Sequence, residues 1–328
     1  MSSARAKASS FPYTVMLCVV LVRLLLDGFG LYRAMIRPVE PGYEHYRAVA
    51  LYTALGTNIS FLLLLAAFSL AATQWVLERR RIAGLTTYAA AGIALLSTAL
   101  SIAWIFGSGF LLRMAVEKLV GSAGMRLAVT VNVLSSYIME PMLVVLSILL
   151  MFRLFRRYQL TVSFPMELRG RALLIFTLFS WSWIVAMLNL AMPMAAAFYA
   201  EQDIDQATVY LAPLAGSFVL VLPAFLGALL GLPTRMPFTR PVRLWLAATS
   251  AVLISAVAMV GVTYAAVRLA EALHGRVEPN TELCALVALA WFVVTIPLCW
   301  LVVRAMTRGP MASSSGDNVA MSFAEERA

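Results

Sequence analysis

Charged residues are scarce in this sequence. Only 12% of its 328 residues are charged, whereas 62% are hydrophobic. A soluble domain carries about 25% charged residues, because it must cover its surface with groups that water can solvate. The low share, together with a mean hydropathy of +0.87, excludes an ordinary soluble protein and indicates a chain whose solvent is lipid.

Residues that usually hold metals and cofactors are also scarce. The three cysteines, Cys18, Cys284 and Cys299, lie in apolar runs and form no CxxC pair, which is typical of small packing residues. The two histidines, His45 and His274, lie outside those runs, whereas a haem held within a membrane bundle needs facing histidines inside them. We therefore expect no metal and no cofactor.

Catalytic and nucleotide-binding motifs are absent as well. The chain contains no HExxH, no GxSxG and no P-loop, so no common hydrolase or nucleotide-binding site is indicated. Its net charge of +9 would favour a nucleic-acid partner on a soluble protein. Here the positive charge is explained by loops on one side of a membrane, so we expect no nucleic-acid partner. A membrane enzyme acting on lipid stays an alternative that no motif supports.

Long apolar runs take the place of these motifs. Crossing a hydrocarbon layer of about 30 Å takes about 20 apolar residues in a helix. The runs are continuous rather than alternating, which favours helices over barrel strands. The predicted spans are Phe11–Ile36, Ala48–Leu77, Ile82–Phe106, Leu127–Phe152, Ala172–Tyr199, Thr208–Leu232, Val242–Leu269 and Leu283–Met306. The sequence therefore predicts an all-α integral membrane protein with eight transmembrane helices.

Two stretches resemble each other at a fixed distance. Ser60–Phe68 (SFLLLLAAF) returns 157 positions later as Ser217–Phe225 (SFVLVLPAF). Three further matches have nearly the same offset: Leu31/Ala34/Met35 with Leu188/Ala191/Met192, Arg113–Gly121 with Arg268–Gly275, and Pro141 with Pro297. A fixed period indicates a repeated unit. Each half holds four spans, an even number, so we predict two parallel four-helix repeats that share one orientation.

The basic residues predict the orientation of the chain. Sixteen lysines and arginines fall on one side of the predicted spans and eight on the other, which places both termini in the cytoplasm. The predicted organisation is an amino-terminal cytoplasmic segment 1–10, a first repeat 11–155, a basic cytoplasmic linker 156–170, a second repeat 171–307 and a disordered cytoplasmic tail 308–328. Only Lys7 and Lys118 are lysines; so strong a preference for arginine is typical of a high-GC bacterial source and favours a bacterial inner membrane.

Two spans are expected to extend beyond the bilayer. The repeat predicts that the third helix continues to a stop at Gly121 and the seventh to a stop at Gly275, since glycine commonly ends helices. Alternatively, Gly107 and Gly109 break the third span and leave a separate interfacial helix. The first span, close to basic residues, also has the outline of a signal peptide; a retained helix is favoured because it contains charges and lacks a cleavage site.

Charge within the apolar runs is the sharpest candidate for a functional site. Arg23 and Asp27 lie four residues apart near the middle of the first span, so they share one helix face,. Glu140 lies near the middle of the fourth span, directly before Pro141. Ionisable groups at this depth are costly and commonly mark transport pathways. If the helices touch, one base faces two acids, and burial favours a proton on the acid that lacks a partner.

A structural interpretation of the same residues stays open. Arg–Asp pairs also join helices permanently, and Glu140 can bond to a backbone or hydroxyl group. At the repeat offset the three positions are Ser180, Ile184 and Ile296 in the second half, so any site is asymmetric. We predict a candidate intramembrane polar site of Arg23, Asp27 and Glu140.

Two functions from different classes fit the sequence. The first is a transporter or permease of unknown substrate, with the lipid bilayer as its surroundings and the charged residues near its pathway. The second is a non-catalytic membrane subunit that anchors or regulates a partner complex, which the lack of a large soluble domain suits.

Overall fold

Long helices dominate a computed structural model of the protein. The structure describes residues 5–7, 10–36, 44–123, 125–161, 169–200, 206–233, 241–274 and 281–307. The helices are α1 (Phe11–Ile36), α2 (Glu44–Arg79), α3 (Thr87–Ala123), α4 (Met125–Leu154), α5 (Arg169–Ala200), α6 (Gln206–Gly231), α7 (Pro241–His274) and α8 (Thr281–Thr307). Within the described residues, eight helices are long and apolar enough to cross a membrane. This confirms the prediction of eight helical spans.

The long third helix follows one of the two predicted courses. α3 continues without a break through Gly107 to Ala123, so the alternative of a separate interfacial helix is wrong. Its end lies two residues past the predicted stop at Gly121. α7 ends at His274, the residue before the predicted stop at Gly275.

The all-α prediction misses a small antiparallel sheet. Its strands are β1 (Arg5–Lys7), β2 (Ile82–Thr86) and β3 (Gln159–Thr161), in the order β1-β2-β3. β1 precedes α1, β2 links α2 to α3, and β3 follows α4 after one turn of 3-10 helix. The third span was expected to begin at Ile82, but that apolar residue belongs to β2 because its backbone pairs with Thr161. The pairing holds three distant chain segments together at one end of the helices.

The chain forms two compact units. The first comprises Met1–Met166 and Trp181–Phe218, and the second comprises Glu167–Ser180 and Val219–Ala328. Helices α5 and α6 therefore each contribute residues to both units. The boundaries of the two predicted repeats, 11–155 and 171–307, describe a duplication of sequence rather than contacts in the structure. They stay a prediction. The predicted tail at 308–328 lies outside the described residues.

Helix α2 is the centre of the first unit. More than half of its span, 56%, is buried, against 11% of the α1 span. It packs against α1 and α4, and α3 packs against the same two helices. One edge of α1 enters this core through Phe11, Val15 and Val19. Many of the other apolar side chains of α1 are exposed, Leu24, Leu25 and Phe29 among them, as a helix facing acyl chains requires.

Close approach of two helices marks the second unit. There α7 packs along α8, and α6 meets α8 at glycines. A Cβ on Gly227 would lie 2.5 Å from the Cβ of Cys299 and 2.9 Å from the backbone nitrogen of Trp300. A Cβ on Gly231 would lie 3.0 Å from the carbonyl oxygen of Trp300. The GxxxG spacing thus lets two backbones approach, as such motifs do in membranes.

Candidate intramembrane polar site

Arg23 and Asp27 form an ion pair along one face of α1. The Nε atom of Arg23 lies 3.0 Å from Asp27 Oδ1 and donates a hydrogen bond to Oδ2 at 3.0 Å. The spacing of four residues places the two side chains one above the other on the helix. This local contact is the part of the site that the sequence pattern predicts directly.

Glu140, which lies in α4, also contacts Arg23 of the ion pair. Arg23 Nη1 lies 3.0 Å from Glu140 Oε2. The side chains of Arg23, Asp27 and Glu140 are 18%, 13% and 14% exposed, so all three charges are largely removed from solvent. The structure therefore brings the three predicted residues into one cluster. That the cluster serves as a working site stays a prediction.

The cluster lies deep within the helices. Arg23 is 12 residues after the first residue of α1, and Glu140 is 14 residues before the last residue of α4. At about 1.5 Å per residue, these positions lie about 18 Å and 21 Å from the helix ends that adjoin the sheet. Each distance is more than half of a hydrocarbon layer about 30 Å thick. The charges of both helices thus lie near the middle of their helices, at similar distances from the ends that adjoin the sheet.

The acids outnumber the base in this cluster. One guanidinium faces two carboxyl groups, so the cluster carries one net negative charge when all three groups are ionised. Glu140 Oε2 is buried and, among the described residues, accepts no hydrogen bond of good geometry despite its distance to Arg23. A buried carboxylate oxygen with so little support is costly. Binding a proton or a cation at this point would remove the imbalance.

Pro141 and Tyr137 shape α4 beside Glu140. Pro141 lies inside the helix, where it cannot donate to the carbonyl of Tyr137 one turn earlier. The ring of Tyr137 stacks on Phe61 of α2, with ring centroids 4.2 Å apart. The stack fixes α4 against the central helix one turn from Glu140. The sequence placed Pro141 beside the acid but gave no signal for this aromatic contact.

Two recesses adjoin the ion pair. The larger, of ≈ 370 Å³, lies between α1 and α2, and Asp27, Ala34 and Asn58 are among its lining residues. The smaller, of ≈ 210 Å³, lies among α1, α2 and α3, and Arg23, Asp27 and Ser101 are among its lining residues. Along α1 the larger recess extends from Leu26 to Ala34, and the smaller one from Val19 to Asp27. Asp27 lines both recesses, and Arg23 lines the smaller one with it.

Other polar side chains of the first unit join helices rather than line the recesses. Ser60 Oγ donates to the carbonyl of Ser182 at 2.9 Å, and Ser182 Oγ donates to the carbonyl of Ser60 at 3.0 Å. Asn189 Nδ2 donates to Thr57 Oγ1 at 2.6 Å. These bonds tie α2 to α5. The side chain of Asn132, another polar residue of a predicted span, is not in the part of the chain that the structure describes.

No metal site accompanies the cluster in the part of the chain that the structure describes. There, no group of three or more His, Cys, Asp or Glu side chains is placed to hold an ion. Cys18 and Cys299 are free thiols, and Cys299 Sγ lies 3.6 Å from the carbonyl oxygen of Ala251. Cys299 thus takes part in helix packing.

The fold and the cluster define a class of protein. In the part of the chain that the structure describes, eight apolar helices indicate a polytopic, multi-pass membrane protein. The first compact unit carries an ion cluster near the middle of α1 and α4. No family model matches the chain, and no curated protein or solved structure does so either. The function must therefore be argued from the cluster and its surroundings.

Proposed function

We propose that the protein is a transporter or permease whose pathway passes the cluster of Arg23, Asp27 and Glu140. The observation that carries this proposal is the position of Asp27, which pairs with Arg23 near the middle of α1 and lines two recesses between the helices. Polar and ionisable groups at this depth characteristically line substrate or ion pathways. A permanent structural ion pair gains nothing from facing two recesses.

The charge imbalance favours a proton or a small cation as the coupling species. When Glu140 gains a proton, Arg23 pairs with Asp27 alone and the cluster becomes neutral. When Glu140 loses it, Arg23 is shared between two carboxylates. The two states differ in the contact between α1 and α4, so a proton or cation that binds one state better shifts the equilibrium between them. Such a change is the minimum that alternating access requires.

Flux measurements with acid-to-amide variants test this function. Full-length protein in proteoliposomes would be assayed for proton flux with an internal pH-sensitive dye, and for sodium and potassium flux with tracer ions. We expect Asp27→Asn and Glu140→Gln each to lower flux at least tenfold. Glu271→Gln is the matched control, because Glu271 is an exposed acid that also pairs with an arginine, Arg268, at 3.2 Å. Flux that is equal in all three variants and the wild type would refute a pathway at the cluster.

The finer architecture belongs to the same proposal. We propose two parallel four-helix repeats with both termini in the cytoplasm of a bacterial inner membrane. Pro141 and Pro297 support the duplication, since each lies 16 residues after the first residue of its helix. The sheet supports the topology, because β1 and the links after α2 and α4 meet at one end. Reporter fusions after Arg81 and Arg157 should both report the cytoplasmic side; a reporter active outside would contradict this.

A non-catalytic subunit that anchors a partner complex is the second candidate. Helices α3 and α7 contain 37 and 34 residues. At about 1.5 Å per residue they measure about 55 Å and 51 Å, well beyond a hydrocarbon layer of about 30 Å. Helices that project from the membrane suit contact with another protein. Affinity purification in mild detergent discriminates the two functions: a stoichiometric partner with no flux favours the subunit.

A further inference from the structure

Six arginines converge where the small sheet joins the helices of the first unit. We name this set the arginine rim: Arg79, Arg80 and Arg81 at the end of α2 and before β2, and Arg153, Arg156 and Arg157 at the end of α4 and before β3. All except Arg80 are exposed. The positive-inside bias accounts for arginines on one side of a membrane. It does not account for their assembly at one place, which depends on the pairing of β2 with β3.

Contacts at the base of the rim hold its two halves together. Arg80 Nη1 donates to the carbonyl of Phe152 at 2.9 Å, and Gln159 Nε2 donates to the same oxygen at 2.7 Å. These bonds close the end of α4 against the turn after α2. The rim is thus built on fixed backbone rather than on a free loop.

The positive charges of the rim are not compensated within the described chain. Among the described residues, no ion pair joins any of the six arginines to a carboxylate. Glu78, the acid next to the rim in sequence, accepts a hydrogen bond from Gln74 Nε2 at 2.5 Å. Burial, followed by the positive charges of Arg156 and Arg153, lowers the pKa of the Arg80 guanidinium from its ordinary value,. An anion placed among these groups would relieve that repulsion.

Two features of the α2 end suit an anion at a membrane surface. The guanidinium of Arg79 lies over the ring of Trp75, 5.0 Å from its centroid. Tryptophan and arginine so arranged are typical of the head-group level of a bilayer. Arg81 has a φ of 51°, in the left-handed region that favours glycine. Such a backbone outlier is a common mark of a functional position.

We propose that the arginine rim binds a phosphate group, carried either by an anionic lipid head group of the adjacent leaflet or by a soluble phosphate. Arginine matches this ligand because its planar guanidinium donates two parallel hydrogen bonds to phosphate oxygens. Clusters of basic residues beside membrane helices bind anionic lipids for the same reason. The site is separate from the ion cluster and does not depend on transport.

Binding of short-chain lipids to the full-length protein in neutral detergent tests the proposal. The probes are phosphatidylglycerol, phosphatidylcholine and inorganic phosphate, the last added as a competitor. One basic residue near an anionic head group contributes about fivefold in binding. The variant R153Q/R156Q removes two exposed charges of the rim and should therefore weaken binding of phosphatidylglycerol roughly 25-fold.

The control removes the same charge elsewhere. R33Q/R268Q replaces two arginines on the predicted side opposite to the rim: Arg33, which lies 5.9 Å from the Phe29 ring, and Arg268, which lies 5.4 Å from the Tyr264 ring. It should leave the affinity for phosphatidylglycerol within about twofold of wild type. Should R153Q/R156Q fail to fold, R81Q/R157Q removes two other exposed rim charges and carries the same expectation.

The outcomes separate the two sources of phosphate. Binding of phosphatidylglycerol that phosphate does not displace identifies a lipid site. Displacement by phosphate at comparable concentration identifies a soluble ligand. Equal affinity for phosphatidylglycerol and phosphatidylcholine, or an equal loss in the rim and control variants, would overturn the proposal.

Discussion

The two halves of the chain carry different residues at the positions that the predicted repeat matches. At the repeat offset, Arg23 and Asp27 in α1 correspond to Ser180 and Ile184 in α5, and both of the latter are buried. Glu140 in α4 corresponds to Ile296 in α8, although each helix keeps a proline directly after this position. If the halves are copies, small and apolar residues satisfy the helix packing at these points. The charges of the first half then require another explanation, which a pathway supplies.

Where α6 meets α8, the second half of the chain carries a feature that the first half lacks. Gly227 and Gly231 permit close backbone approach in the second unit, whereas the corresponding positions in α2 hold Leu70 and Gln74, both buried. At these matched positions the second unit therefore has a close approach of two helix backbones, whereas the first has buried side chains. Mutations at matched positions can break or sharpen this contrast.

Removing the base should have the largest effect on stability. Arg23→Ser leaves Asp27 and Glu140 as two neighbouring carboxylates with no cation, and loss of one partner from a buried ion pair costs about 3–5 kcal/mol. The free energy of unfolding, measured by detergent denaturation, should fall accordingly. Arg33→Ser, at the exposed end of the same helix, should change it by less than about 0.5 kcal/mol. Similar small losses for both variants would mean that the cluster is hydrated.

Replacing the three cluster residues with the residues at the matched positions of the second half tests whether the cluster serves structure or function. The variant R23S/D27I/E140I contains no buried charge, and replacing a complete buried ion cluster with apolar residues is often nearly neutral. Its free energy of unfolding should return to within about 1–2 kcal/mol of wild type, while ion flux in proteoliposomes is lost. Retained flux in this stable variant would show that the cluster is only a structural joint.

The sequence was a good guide to helices because their signal is local. The eight spans were predicted from apolar length alone, and the Arg23–Asp27 pair from a spacing of four residues. The sheet was missed because its strands contain only three to five residues and because Arg5 pairs with Thr86, far away in sequence. No periodicity encodes such a pairing.

The cluster was predicted only in part for a related reason. Glu140 could be named as a buried acid, but its contact with Arg23 depends on α1 and α4 lying together, which hydropathy does not reveal. The recesses beside Asp27 depend likewise on how α1, α2 and α3 pack. Membrane spans are uniformly apolar, so the sequence carries little information about which faces meet.

Adding one methyl group at Gly227 in the second unit should lower the free energy of unfolding by an intermediate amount. Gly227→Ala places a Cβ 2.5 Å from the Cβ of Cys299, so α6 and α8 must separate, and such overpacking costs about 1–3 kcal/mol. Gly216→Ala is the matched control in the same helix, because nothing lies within 4 Å of its added Cβ. Detergent denaturation of both variants measures the difference. Equal stability would show that close approach of the backbones does not hold this unit together.

The smallest expected effect concerns Ser60 and Ser217, the first residues of the two stretches that resemble each other. Ser60 exchanges hydrogen bonds with Ser182 of α5, and Ser217 accepts a hydrogen bond at 2.8 Å from the indole nitrogen of Trp181 in the same helix. Hydrogen bonds between membrane helices contribute about 0.6 kcal/mol on average and about 1.7 at most. Because the Ser60 hydroxyl donates to a backbone carbonyl, S60A alone should lower the free energy of unfolding by about 0.6 kcal/mol. A double-mutant cycle with S217A and W181F, whose side chains bond each other, should give a coupling energy of about 0.6 kcal/mol. A loss with S60A together with coupling at Ser217 means that each of the two stretches holds α5 by its first hydroxyl group. A loss with S60A and no coupling at Ser217 means that only the first stretch does so, and the two stretches would then share sequence but not a structural role.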